Sequence, residues 1–211
     1  MTIFEELSEA IQEGDAERVA ELVGRAIDEG IQAQDILDKG LLDGMNKLGV
    51  KFKNNEVFVP EVIIAARALN SGTTLLKAKL VEEGVKPIGK VVIATVAGDL
   101  HDIGKNLVKL MFEGAGFAVI DLGVDVSAEK IVDAVKENDP DIVALSALLT
   151  TTMIQQGNVI TALQEAGIRD KVKVMVGGAP VTEDFANSIG ADKYTSDAAT
   201  AAEEAKAFFA V

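Results

Sequence analysis

The chain has no cysteine and only one histidine among its 211 residues. The missing thiols exclude disulfides, thiolate metal sites and cysteine nucleophiles. One imidazole without cysteine also argues against a zinc centre, which takes three or four ligands, usually including several His or Cys. Basic residues are scarce. Lys and Arg number 20 against 34 Asp and Glu, a net charge of −14. That balance argues against the basic patch that nucleic acid or an anionic membrane would need, and otherwise serves solubility. No run of about 18 apolar residues is present, so no membrane span is expected. The opening MTIFEELSEA lacks the basic region and apolar core of a signal peptide, and we expect a cytoplasmic protein. What is left is an ordinary globular composition, 48% hydrophobic and 26% charged, long enough for one or two domains.

Two patterns divide the chain. Residues 1–84 read as helices. In GDAERVAELVGRAIDEG, Asp15 is placed to cap a helix, with Val19, Leu22, Val23 and Ala26 at helical spacing. Gly14 and Gly30 sit where helices should stop. A third helix is expected over 32–49, with Ile36, Leu37, Leu41, Met45 and Leu48 on one side. A fourth begins near Pro60, a residue suited to a first turn. Four helices with short connections predict an antiparallel four-helix bundle. GVKPIG (84–89) combines two glycines with a proline, and 85–89 is read as a linker and hinge.

From residue 90 to 211 apolar runs alternate with helical stretches. Strands are expected at 90–96, 117–122, 141–147 and 171–177, with a weaker one at 192–196. Helices fill 103–115, 127–138, 153–167, 182–189 and 197–209. The first four strands are nearly continuous in apolar residues, as in parallel sheets covered on both faces. The expected fold class is therefore α/β, a helical bundle followed by a Rossmann-like (flavodoxin-like) five-stranded parallel sheet. Ligands of such sheets bind beyond the carboxyl ends of the strands, at the switch point. Asp99 and His101 follow the first strand, Ser146 and Thr150 the third, and Gly177 and Gly178 the fourth, so all fall on one rim.

The lone histidine lies in AGDLHDIGKNL (97–107), with Asp99 two residues before it and Gly104 three after. A surface or capping role would be unremarked for an isolated histidine. A Ser-His-Asp hydrolase would present its nucleophile on a G-x-S-x-G elbow, and Ser146 lies instead in ALSALLT. A single axial position on a cofactor's metal needs only one imidazole. A carboxylate on the other ring nitrogen would set its tautomer and basicity.

Asp99-x-His101-x-x-Gly104, then Ser146-x-Leu148, then Gly177-Gly178, resembles the cobalamin-binding signature of methionine synthase and its relatives. The 41 residues between Gly104 and Ser146 and the 28 between Leu148 and Gly177 are also similar to that family. LLDGMNKLGVKFKNNEVFVPEVIIAARAL in the helical half carries the likeness further. Size and layout resemble the stand-alone corrinoid proteins of anaerobic methyltransferase systems.

The resemblance implies a cobalamin or related corrinoid, cycling between methylcob(III)alamin and cob(I)alamin, with His101 replacing the cofactor's own base beneath cobalt. Asp99 would accept a hydrogen bond from the imidazole. The family relay usually ends in a serine where this chain has Thr152, which keeps the hydroxyl. The displaced nucleotide tail would enter a slot between the first and third strands, lined at Ser146, Leu148, Gly177 and Gly178, with Thr150 near its lower loop. Gly98, Leu100, Asp102, Ile103 and Gly104 are assigned to the cofactor with them. Phe58, Val59 and Pro60 match the segment over the upper face of the corrin, or form a hydrophobic staple at a helix start.

The implied partners are a substrate-specific methyltransferase, a second methyltransferase serving tetrahydrofolate or a thiol, and a reductive activator of cob(II)alamin. Methanol, methylamines, quaternary amines and aryl methyl ethers are all open as donors. No catalytic residue is assigned, because the chain lacks groups to activate a donor. The alternatives are the cobalamin subunit of an adenosylcobalamin-dependent mutase, a cobalamin-dependent regulator, and a flavodoxin-like domain with no corrinoid. The regulator would need a basic DNA-binding helix-turn-helix, which is absent from the pattern.

Overall fold

The computed structural model describes residues 1–209, which form two compact units, the first comprising Met1–Pro87 with Gly114–Gly116 and the second Ile88–Glu113 with the residues from Phe117 onward. The first unit is helical: α1 (Ile3–Glu13), α2 (Ala16–Asp28), α3 (Ala33–Asp35), a π-helical segment (Ile36–Leu42) running directly into α4 (Asp43–Lys53), and α5 (Val59–Glu82). Local chemistry sets the boundaries. Thr2 and Glu5 exchange hydrogen bonds at the start of α1, and Gly14 ends it in a left-handed conformation at φ 72°. The Asp15 carboxylate accepts the Arg18 N–H at the start of α2. Pro60 occupies the first turn of α5.

The third rod differs from the expected regular helix. Its buried positions include Ala33, Ile36, Gly40, Gly44 and Leu48, with Leu41 and Met45 beside them. The π turn, which holds an extra residue, lies within this continuous rod at Ile36–Leu42. Glycines then let backbones approach. A Cβ on Gly44 would lie 2.7 Å from the Ser8 carbonyl oxygen and 2.7 Å from Ile11 Cβ. Beside this contact, Ser8 Oγ donates to Asp43 Oδ2 at 2.7 Å, and Lys47 pairs with the same carboxylate oxygen.

The second unit is the doubly wound sheet. Its strands are β1 (Lys90–Thr95), β2 (Ala118–Asp121), β3 (Ile142–Ser146), β4 (Lys173–Gly177) and β5 (Lys193–Tyr194), all parallel, in the order β2-β1-β3-β4-β5. Helices α6 (Ile103–Gly114), α7 (Ala128–Asn138), α8 (Ile154–Glu165), α9 (Glu183–Ile189) and α10 (Ala198–Ala207) alternate with them. From Val91 to Thr95, β1 is buried throughout, as its unbroken β-branched and apolar run requires of a strand covered on both faces. The register sets Thr95, Ser146 and Gly177 level at the carboxyl ends of adjacent strands. Strand order reverses between β1 and β3, the switch point where a ligand site is expected.

Packing of the helical unit is tested by a pair of glycines. Gly44→Ala should lose about 1–3 kcal/mol through overpacking. Gly24→Ala in α2, where an added Cβ meets nothing within 4 Å, should gain about 0.5–1 kcal/mol. Urea denaturation of the full chain checks both signs.

Candidate functional site

β1 leads into a four-residue turn, Val96 to Asp99, closed by the Asp99 N–H donating to the Val96 carbonyl at 3.2 Å. Gly98 takes φ 77°, the left-handed conformation that the third position of such a turn favours. The turn delivers the Asp99 carboxylate, fully buried, beneath the following loop. Its Oδ1 accepts the His101 backbone N–H at 3.1 Å and lies 2.7 Å from His101 Nδ1. Its Oδ2 accepts the Leu148 N–H at 2.7 Å and the Thr152 hydroxyl at 2.6 Å. Burial alone would raise the Asp99 carboxyl. The hydrogen bonds from Thr152, Leu148 and His101 outweigh it and hold the group well below the usual carboxylate range.

An ionised carboxylate only accepts, so the ring proton sits on Nδ1. In the neutral ring this leaves the lone pair on Nε2. The His101 side chain remains 51% exposed, and Thr95 Oγ1 fixes its backbone by donating to the His101 carbonyl at 2.9 Å. The imidazole is thus oriented through one nitrogen while the other points away from its anchor. The geometry suits an axial ligand.

The structure brings the other sequence-chosen residues of this unit to the same rim. Ser146 and Gly177 stand level with Thr95 at the strand ends. Gly178 has φ 131°, and a Cβ there would collide with the Ala147 carbonyl oxygen, so only glycine lets the loops after β3 and β4 close on each other. Cβ atoms on Gly98 and Gly104 would meet nothing closer than 3.7 Å, which leaves open space over the loop. Leu100 and Ile103 are 72% and 77% exposed, and Leu148, Leu149 and Ile154 are also exposed. Asp102 accepts from the Asn106 side chain, and Thr150 is exposed on the β3–α8 turn. Phe58 and Val59 belong to the helical unit and open α5. Phe58 is exposed, and its N–H donates to Glu61.

Three features of this rim were not singled out from sequence. Lys105 is 2% exposed and pairs with Asp121 at 2.7 and 2.8 Å. Burial pushes the Asp121 carboxyl up, but Lys105, the Gly123 N–H and the charge of Lys109 together hold it below its ordinary value. Gln156, fully buried on α8, donates through Nε2 to the Leu145 and Gly177 carbonyls at 3.1 Å each. Two carbonyls fix which end is the amide nitrogen, and its Oε1 has no hydrogen-bond partner among the described residues. Asp125 touches the histidine turn from the β2–α7 loop. Lys105 and Asp121 carried one sequence signal, being charges placed where the topology sends residues to the strand ends.

A B12-binding domain model matches residues 89–207, and a second, also described as a B12 binding domain, matches 3–77. A trimethylamine corrinoid protein of Methanosarcina barkeri is 44% identical over 207 residues, covering 97% of this chain and 95% of that protein. This chain belongs to the corrinoid proteins of methyltransferase systems. A corrinoid protein of Desulfitobacterium hafniense is 42% identical over 206 residues, covering 96% of this chain and 95% of that protein. Among solved structures, the methanol:cobalamin methyltransferase complex of M. barkeri matches at TM-score 0.88 and 33% identity, over 98% of this chain and 79% of that one. A cobalamin-binding protein of D. hafniense matches at TM-score 0.82 and 33% identity over the whole of both chains. The cofactor of this corrinoid protein is therefore cobalamin or a close relative of it. The match of the helical half to its own B12-binding model disfavours the mutase alternative.

Two changes test the site's electrostatics. Thr152→Val removes the hydroxyl from Asp99 and should cost about 1–3 kcal/mol in urea denaturation, whereas Thr152→Ser should retain most of it. The lowered pKa of Asp121 contributes stability in full above the ordinary aspartate value of about 3.9, and loses it as pH falls toward the folded value. The stability difference between wild type and Asp121→Asn should therefore shrink between pH 6 and pH 3 (about one unit below that value), measured by urea denaturation.

Proposed function

We propose that this corrinoid protein carries methyl groups from a methylamine-specific methyltransferase to a second methyltransferase serving tetrahydrofolate or a thiol, with His101 as the lower axial ligand of cobalt. One observation carries the reading: the buried Asp99 carboxylate anchors His101 through Nδ1 and leaves Nε2 presented at the open end of the sheet. The donor set fits a single axial ligand, because among the described residues no group of three or more His, Cys, Asp or Glu could hold a metal ion by itself. The unpartnered Gln156 Oε1 and the glycine-cleared space over the loop fit a ligand seated on this rim.

When bound, the corrinoid supplies a cobalt ion that accepts and gives up a methyl group. The chain's own residues do the rest. Asp99 holds the proton on Nδ1 and keeps the ring from rotating. Thr152 and the Leu148 N–H keep Asp99 ionised. Ser146, Gly177 and Gly178 keep the strand ends narrow enough for backbone to line the nucleotide tail. Thr150 lies beside its lower loop. Gly98, Leu100, Asp102, Ile103, Gly104 and Leu148 form the surface under the corrin, and its exposed apolar members exclude water there. Phe58 and Val59, at the start of α5 in the helical unit, keep their assignment to the cofactor by resemblance alone. The amine assignment draws on similar proteins from Methanosarcina, which are trimethylamine and dimethylamine corrinoid proteins at 43–44% identity. A reductive activator completes the set of partners.

Two measurements test this. His101→Gly, reconstituted with hydroxocobalamin, should bind at least about tenfold more weakly, the loss of one strong ligand contact, and lack the spectrum of an imidazole-ligated corrinoid; an unchanged spectrum contradicts the assignment. Loaded wild-type protein should take a methyl group with a methylamine-specific methyltransferase. Transfer only with the methanol-specific enzyme would overturn the choice of donor.

A further inference from the structure

Asp125 is one of three non-glycine residues with positive φ among the described residues, at 52°. The left-handed region is disfavoured for an L-residue, and such a conformation persists where surrounding contacts enforce it. Here the enforcing contacts are visible. The Asp125 N–H donates to the Asp99 carbonyl at 2.9 Å, and Asp125 Oδ1 accepts the Gly98 N–H at 2.7 Å. Backbone and side chain of one residue therefore grip the two consecutive residues that close the turn after β1. The loop bearing Asp125 is itself tied to β1. Thr95 N–H donates to Gly123, Val126 N–H donates to Thr95, and Val96 and Val126 form a parallel bridge.

We propose that Asp125 is a positioning residue for the axial histidine, acting through the Gly98–Asp99 turn. The proposal rests on His101 being the cobalt ligand. Asp99 aims His101, but a carboxylate aims nothing unless its own backbone is fixed. The Val96–Asp99 turn has one internal hydrogen bond and a glycine at its most mobile position. Asp125 adds a charged acceptor to the Gly98 N–H and a donor to the Asp99 carbonyl, which together hold the two peptide planes that bracket the Gly98–Asp99 pair, Ala97–Gly98 before it and Asp99–Leu100 after it. The left-handed φ is what lets one residue present both groups to the same turn.

The variants separate these contributions. Asp125→Asn keeps an acceptor at Oδ1 and tolerates the left-handed region. Asp125→Gly relieves the backbone but leaves the Gly98 N–H unaccepted. The probe is aquocyanocobinamide, which has no nucleotide base, so an imidazole-ligated visible spectrum reads His101 alone; His101→Gly serves as the blank. Spectral titration of the full chain should give Asp125→Asn within about twofold of wild type. Asp125→Gly should require about five- to tenfold more cobinamide for the same ligated fraction, the loss expected of one ordinary hydrogen bond, while its thermal midpoint stays equal to or above wild type. The proposal is overturned if Asp125→Gly titrates like wild type, if Asp125→Asn loses as much as Asp125→Gly, or if Asp125→Gly loses ligation only in step with a lowered midpoint. If wild type gives no ligated spectrum, the assignment of His101 falls as well.

Discussion

A carboxylate with no exposure to solvent, holding four hydrogen bonds, organises this protein. Asp99 would be costly to bury as a bare ion. It stays ionised because its partners come from three places at once: its own loop, the Leu148 peptide after β3, and Thr152 at the entry to α8. The carboxylate thereby ties the ends of β1 and β3 together across the switch point. It also fixes the proton position on the only imidazole in the chain. At Asp99 the contacts that stabilise the fold are also those that orient the imidazole.

The sheet explains why those three places meet. Continuous apolar strands such as Val91–Ala94 and Ile142–Leu145 force burial on both faces and parallel pairing, and parallel pairing puts every carboxyl end on one rim. Residues distant in sequence then become neighbours by register, as Thr95, Ser146 and Gly177 do. Glycine supplies what side chains would block there. The collision that a Cβ on Gly178 would have with Ala147 shows how near the two loops lie. Gln156 fills the space beneath by bridging the carbonyls of β3 and β4 with its amide nitrogen.

Much of this was legible in the sequence for physical reasons. The apolar runs marked β1, β3 and β4 because buried strands have no polar face to hide them. β5 was read weakly and is short, a two-residue edge strand with few apolar positions. His101 stood out by being single, and Asp99 by its spacing from it, while Thr152 was reached only through the resemblance to methionine synthase. Other features depended on three-dimensional proximity that no local pattern encodes. Lys105 and Asp121 lie sixteen positions apart and meet because α6 crosses back over β2. Asp125 looks like any loop aspartate until its N–H and carboxylate are seen on the Gly98–Asp99 turn. The π turn at Ile36–Leu42 was invisible because the apolar residues around it also fit a regular helix.

The central claim is that His101 Nε2 binds cobalt from below. Because the chain has one histidine, labelling with 15N-histidine marks a single imidazole. Electron paramagnetic resonance of the protein loaded with unlabelled cob(II)alamin should show each hyperfine line split into a doublet by that 15N nucleus. A triplet from 14N would place the cofactor's own benzimidazole on the metal, and unsplit lines would mean no nitrogen ligand. Either of the latter two results would contradict the account.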